Sequence, residues 1–440
     1  MRVAIVGPTH PYKGGIAQHT TELAHRLAAL GHEVVIESWS DQYPARLYPG
    51  VQRVSEPEME PYAPTRYPLS WRRPDGWVRL GRRLRRTVDA VVLVVVTPVQ
   101  APAYLSILSA LRAGRGARPR VLALCHNVLP HERRAVDEPL TRAVLRRVDA
   151  VLVHTPAQAE LAGRLTPVPV TVAEMAPHLW TAPSMTTTGA VDADGAGTRR
   201  RLLFFGLVRP YKGLDVLLRA LARGPAEVGL TVAGEFWGDE AATVSLIDEL
   251  GLRARVDLRA GYVAAADVPA LFAAADALVL PYRAGTASQN VDLARLHGLP
   301  VVATTVGTLA TSVRDGVDGL LVPPDDAAAL AAALRRLYEP GVLADLRAKV
   351  APPDVHGTWQ RYLDVTLAAL AGRLAVSTSA NSEPAGTAAP AGTAAPAGMA
   401  ESAGTVAPAG TPASAGTAGS AGTVSTSEAS QYQRERKADR

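Results

Sequence analysis

Short apolar runs alternate with amphipathic stretches over the first 373 residues of the chain. The runs VAIV, AVVLVVV and VLALC, which begin at Val3, Ala90 and Val121, are typical of parallel strands covered on both faces. Residues 17–31 place apolar side chains at helical spacing and end in a glycine. The alternation predicts βαβ units and therefore a doubly wound α/β domain.

The same alternation restarts with RLLFFG at residue 201. We therefore predict an N-terminal Rossmann-like domain, a linker, a second Rossmann-like domain and a C-terminal helix region. Their predicted ranges are 1–183, 184–199, 200–350 and 351–374. Ligands of doubly wound sheets bind beyond the carboxyl ends of the strands, so two facing domains predict a cleft between their loops.

The composition changes abruptly at residue 375. Residues 375–440 consist mainly of Ala, Gly, Thr, Ser and Pro, with an imperfect six-residue repeat. Such a segment has too little bulky apolar surface to offset its chain entropy. We expect it to be a disordered tail.

Cysteine content and charge narrow the class of protein. Cys125 is the only cysteine, which excludes an internal disulfide and a cysteine-built zinc site. The net charge of +5 comes from arginine, since the chain has only four lysines. Arginine richness alone does not indicate nucleic acid, and we predict none as a partner. No apolar run is long enough to span a membrane and the chain begins without a signal-peptide pattern, so we expect a cytoplasmic protein.

Two glycine-containing turns are candidate anion sites. Residues 7–20, GPTHPYKGGIAQHT, follow the first strand, and Gly14 and Gly15 allow close backbone approach at a helix N-terminus. A tight turn without a ligand explains the same residues, and the dinucleotide pattern Gly-x-Gly-x-x-Gly is absent. In the second block, Arg209 and Lys212 follow a buried strand at a helix N-terminus. Two cations at such a position suit a diphosphate, although two solvated charges on a turn fit the same pattern.

The chain resembles the retaining GT-B glycosyltransferases of family 4. The resemblance rests on the two turns, on GLPVVAT at 298–304 and on DGVDGLLVPPDD at 315–326, in the family's order and spacing. It covers nearly all of residues 1–373. The resemblance implies a GT-B fold of two facing Rossmann-like domains, a nucleotide-sugar donor as substrate and no cofactor.

The resemblance assigns roles to residues at matching positions. Gly14 and Gly15 would lie against the donor phosphates and the acceptor, and Lys212 would bind the diphosphate. The family's arginine position holds Leu207 here, so Arg209, two positions on, is the substitute.

His126 and Tyr262 match two further family positions. His126 falls where the family has a histidine close to the transferred sugar. From chemistry alone His126 could also be a general base or a helix cap, and His131 and Glu132 share its loop. Tyr262 would stack on the nucleotide base, although a packing or surface role fits equally.

Two glutamates of the family pattern are missing. Alignment on residues 298–304 puts Gly285 and Leu293 at the positions that contact the donor sugar and the ribose. The same loop retains Thr286 and Ala287. Donor recognition would pass to the residues that remain there, together with backbone amides at the following helix. These residues are Ser288, Gln289, Asn290 and Asp292.

The predicted function is metal-independent transfer of a sugar, with retention, to a sugar or lipid-linked acceptor in glycolipid or cell-surface polysaccharide synthesis. Lys212 and Arg209 would neutralise the leaving diphosphate, so no metal is predicted. Because the glutamates are absent, a non-catalytic nucleotide-sugar-binding relative or partner subunit is one alternative. A GT-B nucleotide-sugar epimerase is another.

Residues 70–90 contain seven arginines and two tryptophans. A basic amphipathic helix with aromatic anchors can lie on the inner face of the cell membrane. A solvated helix with buried tryptophans fits the same pattern. We therefore keep a peripheral membrane contact as one of two interpretations.

Overall fold

The computed structural model describes residues 1–44, 52–130, 134–178, 200–285 and 288–373. Residues 1–178 form the N-terminal half, which contains a seven-stranded parallel sheet in the order β3-β2-β1-β4-β5-β6-β7. The strands are Arg2–Val6 (β1), Glu33–Asp41 (β2), Thr65–Ser70 (β3), Ala90–Val95 (β4), Arg120–Cys125 (β5), Ala150–Val153 (β6) and Val170–Val172 (β7). The helices of this half are Gly15–Ala29 (α1), Pro74–Thr87 (α2), Ala101–Arg112 (α3), Asp137–Leu145 (α4) and Pro156–Leu165 (α5).

Residues 200–350 form the C-terminal half, which contains a six-stranded parallel sheet in the order β10-β9-β8-β11-β12-β13. Its strands are Arg201–Phe205 (β8), Gly229–Gly234 (β9), Val256–Ala260 (β10), Ala277–Leu280 (β11), Val301–Thr304 (β12) and Gly319–Val322 (β13). Its helices are Leu214–Arg223 (α6), Glu240–Glu249 (α7), Val268–Ala273 (α8), Asn290–Leu296 (α9), Leu309–Ser312 (α10), Ala327–Leu337 (α11) and Val342–Ala348 (α12). A last helix, Val355–Leu370 (α13), follows this half.

Both faces of each sheet are covered. In β4, Val91 and Leu93 belong to one buried apolar cluster, while Val92 and Val94 belong to the cluster on the opposite face. Because successive strand side chains point to opposite faces, a strand buried on both sides must be apolar throughout. This explains why the central strands are continuous apolar runs.

The two doubly wound halves confirm the predicted fold class. The structure describes neither the predicted linker, 184–199, nor the tail, 375–440, so those two predictions lie outside the described residues. Within the described ranges, none of the helices has both the length and the apolar character needed to cross a bilayer.

Helix α13 comes after the C-terminal half in sequence but packs on the N-terminal half. Trp359 and Tyr362 are buried in the apolar cluster that also contains residues of β1 and β4. The Trp359 indole Nε1 donates to the Pro177 carbonyl oxygen at 2.6 Å, and Arg120 Nε donates to the Ala369 carbonyl oxygen at 2.8 Å. The chain thus returns to its first half, and α13 belongs to that half's core.

Replacement of Trp359 by alanine should destabilise the fold strongly. The change removes a fully buried indole and leaves a cavity, for which we expect a loss of about 3–5 kcal/mol in the free energy of unfolding. Urea denaturation followed by circular dichroism would measure it. The matched control is Trp71→Ala, since Trp71 is 38% exposed and its removal should cost less than about 1 kcal/mol. Equal losses in the two variants would contradict the assignment of α13 to the core.

Candidate functional site

The glycine-rich turn of the N-terminal half opens α1 as the sequence predicts. Gly14 is the residue before the helix and has a φ of 94°, a left-handed conformation that favours glycine. Its backbone N–H donates to Glu58 Oε2 at 3.2 Å, and Gln18 Nε2 donates to the same oxygen at 2.9 Å. A Cβ on Gly15 would lie 2.8 Å from His178 Nε2, so the turn packs directly on that imidazole. No local pattern indicates Glu58, which lies 44 residues from Gly14.

His126 lies in a cluster of four buried histidines. It follows β5 directly, and its ring centroid is 5.0 Å from that of His19 on α1 and 5.0 Å from that of His154, which follows β6. His178 completes the cluster at 5.7 Å from His19. Parallel strands end at one edge of a sheet, so residues far apart in sequence meet there.

Burial keeps the histidine cluster neutral. Desolvation is the main cause that lowers the pKa of all four imidazoles, and the pKa of His154 and of His178 falls to about 4. The His154 Nδ1 lies 3.1 Å from the Ala173 carbonyl oxygen, which fixes that nitrogen as the protonated one. His126 is therefore a neutral hydrogen-bonding group at neutral pH.

The turn that carries Lys212 depends on Gly213. This glycine has a φ of 67°, and a Cβ there would lie 2.0 Å from the Pro281 carbonyl oxygen. The turn brings the Lys212 ammonium over the Tyr282 ring, 5.3 Å from the centroid. A Cβ on Gly206 would lie 3.6 Å from both Lys212 Nζ and Asn290 Nδ2. Lys212 and Asn290 therefore converge on the end of β8, and their role in a donor site remains a prediction.

Arg209 lies in the same turn but faces aromatic rings. Its guanidinium carbon is 5.3 Å from the Trp237 ring centroid and 5.7 Å from that of Tyr211. Stacking on two rings orients the planar guanidinium. The substitution of Arg209 for the family's arginine remains a prediction.

The loop before α9 contributes amide side chains and one carboxylate. Asn290 Nδ2 donates to the Phe205 carbonyl oxygen at 3.0 Å, while the buried Gln289 Oε1 has no hydrogen-bond partner among the described residues. Ser288 is half-buried before the helix. Thr286 and Ala287 lie outside the described residues.

Asp292 is a half-buried carboxylate on α9. Burial raises its pKa to about 6, Arg295 lowers it from 3.8 Å away, and the charge of Glu174 in the other half raises it. At the two positions of the missing glutamates, Leu293 packs into the core of the C-terminal half and Gly285 has no side chain. A polar group for the donor sugar or ribose must therefore come from elsewhere.

Lys13 joins the two halves, which sequence reasoning did not predict. Its ammonium forms an ion pair with Glu235 Oε2 at 2.6 Å and lies 4.9 Å from the Tyr262 ring centroid. The Lys13 side chain is only 5% exposed. Tyr262, the predicted base-stacking residue, is 39% exposed, so part of its ring remains accessible.

A small pocket opens beside the glycine-rich turn. Its volume is about 200 Å³, and its lining includes Tyr12, Gly14, Gln42, Tyr43 and Gln52. Aromatic rings and amides are typical of surfaces that bind sugars and other polyols. Among the described residues, no group of three or more His, Cys, Asp or Glu side chains is arranged to hold a metal ion.

Comparisons with family models match both halves. The model described as Glycosyltransferase Family 4 matches residues 13–174, and the model described as Glycosyl transferases group 1 matches residues 199–340. D-inositol 3-phosphate glycosyltransferase of Mycobacterium tuberculosis is 39% identical over 127 residues, which are 28% of this chain and 26% of that protein. The chain thus matches about a quarter of the length of this curated relative.

Solved structures with the same architecture cover most of the chain. Sucrose-phosphate synthase from Thermosynechococcus elongatus superposes with a TM-score of 0.62 at 18% identity, covering 84% of this chain and all of the other. HepE of Anabaena, solved with UDP-glucose, gives a TM-score of 0.63 at 17% identity, with coverage of 85% and 100%. At these identities the likeness establishes the fold.

The histidine cluster should make the fold acid-sensitive above pH 4. In the unfolded chain a histidine binds a proton near pH 6.5, whereas His154 and His178 in the fold do so near pH 4. The contribution of these two histidines to the free energy of unfolding is therefore fully present above about pH 6.5. It is lost as the pH falls toward 4, and the loss is on the order of 3 kcal/mol for each histidine.

Urea unfolding at pH values from 7.5 to 4.5 would measure this loss. His154→Gln should make the free energy of unfolding fall less steeply with acidification than in the wild type. The exposed His356 offers a matched control, His356→Gln, which should leave the slope unchanged. A wild-type slope that His154→Gln does not reduce would show that the cluster does not cause the acid sensitivity.

Proposed function

Since this chain belongs to the family 4 glycosyltransferases, described as glycosyl transferases group 1, we propose that it transfers a sugar, with retention, from a nucleoside-diphosphate sugar to an acceptor hydroxyl. The observation that carries the proposal is the convergence of Lys212 and Asn290 at the end of β8. A cation and an amide donor at this sheet edge suit the diphosphate of a donor.

Stabilisation of the leaving group would be the main catalytic effect. As the bond from the anomeric carbon to the phosphate oxygen breaks, negative charge grows on the diphosphate, and Lys212 and Arg209 would neutralise it. The neutral His126 would hydrogen-bond a hydroxyl of the transferred sugar. In a retaining transfer of this kind the acceptor attacks from the face of the leaving group, whose phosphate oxygen takes the acceptor's proton.

The pocket beside Gly14 supports a sugar as the acceptor. Its aromatic and amide lining fits a hydroxyl-rich ring. A lipid-linked sugar in glycolipid or cell-surface polysaccharide synthesis would present such a ring. A non-catalytic nucleotide-sugar-binding protein is the second candidate, because an apolar side chain, Leu293, packs against the core at the position of the family's ribose-binding glutamate.

Replacement of Lys212 by methionine tests the proposed function. We expect kcat/KM for transfer or donor hydrolysis to fall about 100-fold or more, because no ammonium group would then stabilise the negative charge that develops on the leaving diphosphate. Purified protein would be assayed with UDP-, GDP-, ADP- and TDP-sugars, and nuclear magnetic resonance of the product would identify its anomeric configuration. Lys349→Met, at an exposed lysine, removes the same charge and should leave the rate unchanged.

Other outcomes of this assay identify the alternatives. Tight binding of a nucleotide-sugar without turnover would favour the non-catalytic protein, and an inverted anomer would exclude retention. We propose that no metal takes part, so chelation by EDTA should leave the rate unchanged. The single Asp-x-Asp triplet of the sequence, residues 192–194, lies outside the described residues.

We further propose that α2 places the protein on an anionic membrane surface. Leu80 and Leu84 are buried, and Trp77 packs on the core with its Nε1 donating to the Ser70 carbonyl oxygen at 2.9 Å. The apolar face is thus used within the fold, and the outer face carries the exposed Arg82 and Arg86. The attraction would therefore be electrostatic, with Trp71 as the one exposed tryptophan of this segment.

Neutralising the outer face of α2 should weaken vesicle binding. We expect the double variant Arg82→Gln with Arg86→Gln to pellet less with vesicles containing phosphatidylserine at low salt, since each surface cation contributes about 1 kcal/mol. Arg219→Gln with Arg223→Gln, on exposed positions of α6, is the matched control and should pellet like the wild type. Equal pelleting with neutral and anionic vesicles would contradict the proposal.

A further inference from the structure

We propose that Lys13 is a donor-binding residue supplied by the N-terminal half, and that Glu235 holds its ammonium while no donor is bound. The inference rests on the proposed function, because it assumes a diphosphate at the turn that carries Lys212. It adds a third cation from the other half of the molecule, together with a carboxylate that competes for it.

The position of Lys13 follows from its contacts. It directly precedes Gly14, yet its ammonium reaches Glu235, which follows β9, and Tyr262, which follows β10. β9 and β10 are neighbours, so their carboxyl ends lie side by side. Lys13 therefore enters the edge of the C-terminal sheet where a nucleotide would bind.

Backbone and ring contacts connect Glu235 to the turn that carries Lys212. The Val208 N–H donates to the Glu235 carbonyl oxygen at 2.8 Å, so Glu235 is tied to the strand-like start of that turn. The Trp237 indole Nε1 lies 3.3 Å from Glu235 Oε2, and its ring faces the Arg209 guanidinium at 5.3 Å. The Lys13 ion pair is thus next to the cationic turn.

Competition between two anions explains the arrangement. The Lys13 and Glu235 side chains are 5% and 15% exposed, so water screens their attraction little. A lysine ammonium on a flexible stem has three donors and can exchange one anion for another. An incoming diphosphate offers more negative charge than one carboxylate, and Lys13 would move from Glu235 to the phosphate oxygens.

This exchange predicts effects of opposite sign at the two partners. Lys13→Met removes a cation from the bound state, so the Kd for a diphosphate should rise about tenfold or more. Glu235→Gln weakens the competitor, so the Kd should fall severalfold. In a purely structural bridge, loss of either partner would impair the site in the same direction.

Isothermal titration of the full chain with UDP and with inorganic pyrophosphate tests the proposal. Pyrophosphate is included because it carries the diphosphate without a base. The double variant Lys13→Met with Glu235→Gln leaves no buried unpaired charge at this pair, and it should bind as weakly as Lys13→Met alone. Lys349→Met is the matched loss of one lysine and should bind like the wild type, and thermal unfolding would verify that every variant is folded.

The outcomes separate this inference from the proposed function. Opposite shifts for Lys13→Met and Glu235→Gln support the exchange. Weaker binding in both, or no change in either, overturns it, while weaker binding in Lys212→Met alone leaves the proposed function intact. If the wild type binds neither probe, the diphosphate site is wrong and the inference falls with it.

Discussion

The close contact between two backbones at the ends of β8 and β9 is the constraint on which the candidate donor site depends. A Cβ on Gly234 would lie 1.9 Å from the Gly206 carbonyl oxygen, so only glycine fits where the strands end. After β8 the chain turns and brings Lys212 back over the strand end. After β9, Glu235 lies beside the same turn. Cation and carboxylate thus share one edge because parallel strands deliver them there.

The edge of the N-terminal sheet at the ends of β5 and β6 is organised by burial rather than by charge. His19 makes T-shaped ring contacts with His126 and His154, whose rings are tilted against each other. Trp359 of α13 stacks on His19 with 5.3 Å between ring centroids. Removing water from imidazoles disfavours their charged forms, so this histidine cluster stays neutral.

Periodicity predicted the central strands and the two halves because buried parallel strands are apolar on both faces. It did not predict β3 and β7, which are the edge strands of the N-terminal sheet: Arg66 and Tyr67 in β3 are exposed, and β7 is three residues long. Edge strands need fewer apolar residues, so their pattern is weak. The sequence motifs likewise indicated Lys212 and His126 as candidates.

Contacts between distant residues were beyond the sequence patterns. Lys13 and Glu235 are 222 residues apart, and no periodicity connects them. The position of α13 on the N-terminal core depends on where the C-terminal half ends in space, and no local sequence pattern encodes that position. Three-dimensional proximity of this kind is a property of the assembled sheets, not of any segment.

The packing of helix α9 determines which side chains near the missing glutamates can point away from the core. Val291 and Ala294 are buried and Leu293 packs on the core, so the helix cannot rotate to present another residue without exposing apolar surface. Asp292 therefore keeps its direction, with Arg295 at 3.8 Å and the charge of Glu174 acting from the other half. A carboxylate whose pKa is about 6 exchanges its proton near neutral pH and can accept or donate a hydrogen bond. Helix α9 thus presents one carboxylate whose direction is set by the packing of its neighbours, and the role of Asp292 in donor recognition remains a prediction.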